Sequence, residues 1–300
     1  DEAISLFEQV ITDSTRSSGD DHPNTLTLRN NLANCHLQAG RFVEAIQLYE
    51  QAATGRARVL GDNHSLTLST RNSLADAYEA AGRRVEAIQL YEQVATGRAR
   101  VLGEDHPLTL STRNNLAYTY NAVGRRDEAI ALYEQVATDR ARILGDNHPH
   151  TLTARHNLAS TYASAERHDE AITLYEQVAP DQARALGKDH PHTLTTLNNI
   201  AYTYRSVGRL PESITLYEQV MKDQIRVLGE DHPGTYNTRR ELADSYREAG
   251  HTDESITLYE QLLVSSQRVL GADHPFTMAM CEELGDVRRE LKQRDNPSAD

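Results

Sequence analysis

The sequence predicts an all-α chain, a solenoid of about fourteen helices built from tandem 42-residue helix pairs. Three observations predict it. His22, His64, His106, His148, His190, His232 and His274 stand 42 residues apart, with no insertion between them. Residues 64–105 and 106–147 are identical at 30 of 42 positions. Within each repeat the apolar residues recur with the period of a helix, about 100° per residue. So strict a spacing means one supersecondary element copied in tandem, each copy burying its apolar face against the next.

In chain order, residues 1–21 read as a lone second helix of a pair (helix B). Asp1 aligns with Asp127 and Asp169. The chain is therefore expected to be a piece whose missing part is N-terminal, with apolar surface around Ile4, Phe7 and Val10 open to self-association. Six helix pairs then span 22–273. In the first pair, Leu26, Leu32, Ala33 and His36 (tyrosine in the next five repeats) form the stripe of helix A, over about 23–39, with the stem of Arg29 along it. Ala45, Ile46, Tyr49, Ala52, Arg56 and Leu60 form the stripe of helix B, over about 42–60. Gly40 and Gly61 stand where helices end in a left-handed residue, and glycine recurs at 82, 124, 208 and 250. The linkers, as in Asp21-His22-Pro23 and Asn147-His148-Pro149, supply an N-cap side chain and a proline suited to a first helical turn. Residues 274–294 read as a capping helix: 286–295 is highly polar, with Arg288 where most repeats have tyrosine, and 295–300 is a tail. Pro180, in mid-helix B, predicts a kink or break near Ala179, and Glu166 in place of the helix-ending glycine marks the fourth repeat as the most irregular. Pro211 falls in a first turn, where it is harmless.

Composition narrows the function. A formal charge of −13 repels a phosphate backbone, so nucleic acid is not expected as a partner. No apolar run reaches the roughly 18 residues of a membrane span, and the first ten residues lack the pattern of a signal peptide. Cys35 and Cys281 belong to no ligand spacing, and a reducing cytoplasm fits them best. Only Lys188, Lys222 and Lys292 of the 31 basic residues are lysine, a bias expected of a GC-rich bacterial source. Seven of the thirteen histidines are the linker copies. Neighbouring helices pack about 8–10 Å apart, too far for successive copies to share a metal ion, so a turn role is expected and no metal site. No phosphate-loop, dinucleotide, nucleophile-elbow or zinc-protease string occurs, so neither an active site nor a cofactor is assigned.

The strings Arg113-Asn114-Asn115-Leu116-Ala117 with Tyr120 and Gly124, Glu128-Ala129-Ile130 with Leu132-Tyr133, and Leu144-Gly145-Asp146-Asn147-His148-Pro149 resemble the long tetratricopeptide repeats of kinesin light chains. Leu116, Ala117, Tyr120, Ala129, Tyr133 and Val136 match that family's packing positions. The resemblance implies a right-handed α-α superhelix with the A helices lining its concave side. Similar arrays also form the C-terminal sensor regions of bacterial signalling NTPases, although no nucleotide motif is present here.

Differences between copies point to a site. Asn34, Asp76, Tyr118, Ser160, Tyr202 and Asp244 form one diverse column, and Leu37, Glu79, Asn121, Ala163, Arg205 and Arg247 another. With Asn30, their i, i+4, i+7 spacing places them on one face beside the packing stripe. A third column is polar and nearly constant: Asn30, Asn72, Asn114 and Asn198, with His156, Arg240 and Glu282 as departures. Its amides could grip the backbone of an extended peptide, or bond within the chain. Asp76 and Glu79 give one half of this face acidic character. Arg205, Arg240 and Arg247, diluted by Asp244 and Glu248, suit the other half to an acidic segment. The expected function is a protein- or peptide-binding scaffold using this groove; the alternative is a ligand sensor that regulates an N-terminal signalling NTPase module.

Overall fold

The structure, a computed structural model, describes residues 2–295, so Asp1 and the tail expected beyond 295 lie outside the described residues. It is all-helical, with fourteen helices among the described residues. The helices fall into two compact units, Asp1–Asp146 and Asn147–Asp300. The N-terminal unit holds α1 (Glu2–Ser18), α2 (Pro23–Gln38), α3 (Phe42–Leu60), α4 (Ser65–Ala80), α5 (Arg84–Leu102), α6 (Pro107–Ala122) and α7 (Arg126–Leu144). The C-terminal unit holds α8 (Pro149–Ser164), α9 (His168–Ala185), α10 (Pro191–Ser206), α11 (Leu210–Leu228), α12 (Pro233–Glu248), α13 (Thr252–Val269) and α14 (Pro275–Asp295). In each unit every helix packs mainly on its neighbours in sequence, as in a solenoid. Even-numbered helices from α2 to α14 are the A helices and odd-numbered ones the B helices.

The linker histidines start the A helices. His22 Nδ1 accepts from the Asn24 N–H at 3.2 Å, and the same bond recurs at His64, His106, His148, His190, His232 and His274. The cap is thus the histidine and not the preceding Asp or Asn, which explains why it repeats in every copy. At the other end, Gly124 has φ 82°, and the Arg125 N–H reaches back to the Tyr120 carbonyl at 2.9 Å. Glu166 takes the same left-handed conformation, φ 61°, with Arg167 N–H on the Tyr162 carbonyl at 2.9 Å. The geometry of that corner survives, at a steric cost of roughly 1 kcal/mol for a side chain in this region.

Small and large side chains alternate in the core. Ala75, Ala87 and Ala129 are fully buried and let the helices approach, while Tyr91, Ile88 and Leu116 fill the space between α4, α5, α6 and α7. In the C-terminal unit Ala159, Ala171, Tyr175 and Ile200 repeat the arrangement. Of the expected stripes, Leu26, Leu32, Ala33, His36, Ala45, Ile46, Tyr49, Ala52 and Arg56 are buried, whereas Leu60 is partly exposed at the end of α3. Arg288 on α14 pairs with Glu260 at 2.5 Å, the 28-residue reach by which Tyr246 meets Glu218.

One expectation is corrected. Pro180 does not break its helix: α9 runs without interruption from His168 to Ala185. Pro180 and Glu176 are both exposed, where water can satisfy the Glu176 carbonyl that the proline leaves without an N–H. Pro211 sits at the start of α11 as expected.

Candidate ligand-binding face of the A helices

The near-constant asparagine column belongs largely to the packing between repeats. Thr70 Oγ1 donates to Asn30 Oδ1 at 3.1 Å and Thr238 Oγ1 to Asn198 Oδ1 at 2.9 Å. Asn72 Oδ1 accepts both from Thr112 Oγ1 at 3.0 Å and from Arg98 Nη1 at 3.1 Å, while its Nδ2 donates to Asp76 Oδ2 at 3.1 Å. Three successive helices, α4, α5 and α6, are clipped together by that one amide. Arg98 is buried and Arg56, its copy one repeat earlier, likewise; burial pulls both guanidiniums below their ordinary value. In the fourth repeat the chemistry changes together: His156 Nδ1 meets Thr196 Oγ1 at 2.7 Å, and Thr196 donates to Gln182 Oε1 at 2.7 Å. The His156 ring also lies edge-on to Tyr175, with centroids 5.6 Å apart. Burial, and secondarily His192, push its pKa down to about 4.

Polar members of the diverse column at 34, 76 and 244 cap the buried B-helix tyrosines. Tyr49 donates to Asn34, Tyr91 to Asp76 and Tyr259 to Asp244. Burial pushes the Asp76 carboxyl up, against hydrogen bonds from Tyr91, Asn115 and Asn72 and the nearby Arg98 charge. Where the column holds tyrosine instead, the ring points outward: Tyr118 is 54% and Tyr202 50% exposed.

The charged members of the second diverse column, and Arg240 of the asparagine column, are paired within the chain. Glu79 lies 3.8 Å from Arg84. Arg205 sits 2.8 Å from Glu241, 3.6 Å from Glu248 and 3.7 Å from Asp244, with its guanidinium 5.5 Å from the centre of the Tyr202 ring. Arg240 pairs with Glu241 at 3.3 Å, and Arg247 with Glu283 at 3.3 Å and with Glu290. The arginines expected to draw an acidic segment are therefore already engaged within the chain. Asn121 and Asn114, on α6, each carry a buried Oδ1 with no hydrogen-bond partner.

Sequence reasoning missed the column one residue past the asparagines. Asn115 Nδ2 donates to Asp76 at 3.2 Å, Asn199 Nδ2 to the Tyr175 hydroxyl at 3.2 Å, and Glu241 and Glu283 hold Arg205 and Arg247. Its signal was present as a run of polar residues at 42-residue spacing. Depressions of about 440 and 580 Å³ lie beside B helices instead, walled by Glu92, Thr96 and Arg100 and by Glu230, Thr257 and Gln261. Among the described residues no group of three or more His, Cys, Asp or Glu side chains could hold a metal ion, and no helix is long and apolar enough to cross a membrane.

The tetratricopeptide repeat family model matches residues 1–57, 44–98, 85–140, 110–180 and 192–264. No curated protein matches the chain. Among solved structures, the nearly identical TPR-like repeats of a kinesin-light-chain-like protein from Podosopora anserina are 36% identical, with a TM-score of 0.61, covering 68% of this chain and 97% of theirs. BtubC (BKLC) from P. vanneervenii is 19% identical, with a TM-score of 0.65 over 77% of this chain and 93% of its own. A Rap protein complexed with competence and sporulation factor is 11% identical, with a TM-score of 0.54 over 97% of this chain and 86% of its own. These two show likeness of fold alone. With the repeat model covering most of its length, the chain belongs to the tetratricopeptide repeat family.

Proposed function

We propose that this chain is a non-catalytic scaffold whose A-helix face, the concave groove of a tetratricopeptide array, binds an extended segment of a protein partner. The observation that carries the reading is the exposure of Tyr118 and Tyr202, 54% and 50%, on a face whose polar neighbours are largely bonded within the chain. Half-exposed aromatic rings are costly to leave against water and are the usual anchors of protein interfaces. The asparagine column supports that face from beneath. The Rap protein complexed with competence and sporulation factor shows a chain of similar fold holding a partner. A sensor that regulates an N-terminal NTPase module would use the same face, and nucleotide turnover of the full-length protein with and without partner would read it out.

The test is quantitative capture of partners by the parent chain and by three variants. Tyr118→Ala and Tyr202→Ala should each weaken at least one partner by about thirty-fold, the effect of losing roughly 2 kcal/mol. Arg100→Ala, in the depression beside α5, should change nothing. Binding lost with Arg100→Ala and retained in both tyrosine variants would refute the assignment.

A further inference from the structure

Away from the proposed groove, the C-terminal unit holds a buried cation with nothing to pair it. Arg239, on α12, is 5% exposed, and its Nε is buried without an acceptor. Among the described residues its side chain makes no hydrogen bond and no ion pair. Arg56 and Arg98, buried as deeply, are each held by three groups of the chain. A guanidinium taken out of water without compensation is costly, and such a group in a folded chain points to something that meets it.

Other repeats show what is missing. Arg29, Arg71 and Arg113 stand at the same position of α2, α4 and α6, and each is paired with the acid nine residues before it, Asp20, Asp62 and Glu104. The acid nine residues before Arg239 is Glu230, and among the described residues Glu230 is paired neither with Arg239 nor with any other cation. Nearby acids are taken: Asp231 by Arg268 at 2.7 Å and Glu260 by Arg288 at 2.5 Å. Glu230 and Arg239 stand instead on the wall of one depression of about 580 Å³, together with Gln261, Val264 and Ser265 of α13. Val264 is 65% exposed there.

We infer that this depression binds a small zwitterion, a free α-amino acid with an aliphatic side chain. Its carboxylate meets Arg239, whose planar fork of N–H donors matches two carboxylate oxygens. Its ammonium group meets Glu230, and its side chain covers Val264 in place of water. The ligand thus completes, in two halves, the ion pair that other repeats make within the chain. A simple anion would be repelled by Glu230, and a simple cation by Arg239.

The experiment titrates L-valine into the chain, read by calorimetry and by the thermal midpoint. Beside it run isovalerate, which lacks the ammonium group, and isobutylamine, which lacks the carboxylate. L-valine should bind and raise the midpoint, because a ligand of the folded state stabilises it. Each analogue should bind more weakly by about tenfold or more, the effect of losing one charge-assisted contact. Arg239→Gln and Glu230→Gln should weaken L-valine to the same extent, whereas Arg71→Gln, in a repeat whose pair is closed, should leave its affinity unchanged. Without ligand, neither Arg239→Gln nor Glu230→Gln should lower the midpoint, since neither breaks a bond, so lost binding is then not lost folding. Isovalerate binding as tightly as L-valine would overturn the inference in favour of an anion site, and isobutylamine doing so in favour of a cation site. L-valine giving neither heat nor a midpoint shift would overturn it outright. So would midpoint losses in the two single variants that fail to add in the double variant, the mark of a Glu230–Arg239 pair that closes the depression.

Discussion

Replacing Asn72 by alanine separates a structural asparagine column from one that only meets ligand. Asn72 Oδ1 accepts from the buried Arg98 guanidinium at 3.1 Å and from Thr112 at 3.0 Å. A hydrogen bond to a charged group contributes about 1.5–3 kcal/mol and a neutral one about 1 kcal/mol. Arg98 keeps Thr112 and the Leu108 carbonyl, and Thr112 keeps the Leu108 carbonyl, so neither donor is stranded. The expected loss is therefore about 2–3 kcal/mol, toward the lower end of the simple sum. Urea unfolding followed by far-UV circular dichroism reads the shift in midpoint, and hydrogen exchange should show it concentrated in α4, α5 and α6. Tyr118→Ala, on the exposed side of the same face, should stay within about 0.5 kcal/mol of the parent, as surface changes do. If Asn72→Ala is no more destabilising than Tyr118→Ala, the clip between repeats does not carry the energy assigned to it.

Three further outcomes follow from the same structure. The folded chain holds the His156 ring neutral down to about pH 4, whereas an unfolded histidine takes a proton near 6.5. Stability present above pH 6.5 should thus be lost as pH falls toward 4, by up to about 1.4 kcal/mol per unit, and His156→Asn should flatten that part of the curve; an unchanged slope in pH-dependent urea melts would contradict it. Glu166→Gly removes a side chain held at φ 61° and should stabilise the chain by roughly 0.5–1 kcal/mol, seen as a raised thermal midpoint, and a lowered midpoint would speak against strain there. His106→Ala removes the cap on the Leu108 N–H and should cost about 1 kcal/mol, largely restored by His106→Asn; equal midpoints for the alanine and asparagine variants would show that the ring caps nothing.

The sequence carried the fold because its period is strict and its corners are built locally. Helix ends at Gln38 and Leu60 fall within a residue of those expected from Gly40 and Gly61. What it hid were partners set by the stacking of repeats. The period of Asn72 was visible, but its donors lie 26 and 40 residues away at Arg98 and Thr112, and nothing local says that they converge. The charge of Arg205 and Arg247 was equally visible. Their acids stand 36 residues on, at Glu241 and Glu283, so the arginines expected to draw an acidic segment turned out to be paired within the chain. Pro180 shows the opposite failure: the expected break does not occur, because the proline stands at an exposed position where water can satisfy the carbonyl it strands.

The central claim is that the A-helix face does the binding and that Tyr118 and Tyr202 anchor it. Isothermal titration of one selected or captured partner segment into the parent chain, Tyr118→Ala, Tyr202→Ala and Arg100→Ala tests it most directly. The account predicts about thirty-fold weaker binding in at least one tyrosine variant and an unchanged Kd for Arg100→Ala. Equal affinities for the parent and both tyrosine variants, with binding lost in Arg100→Ala, would place the site beside the B helices and contradict it.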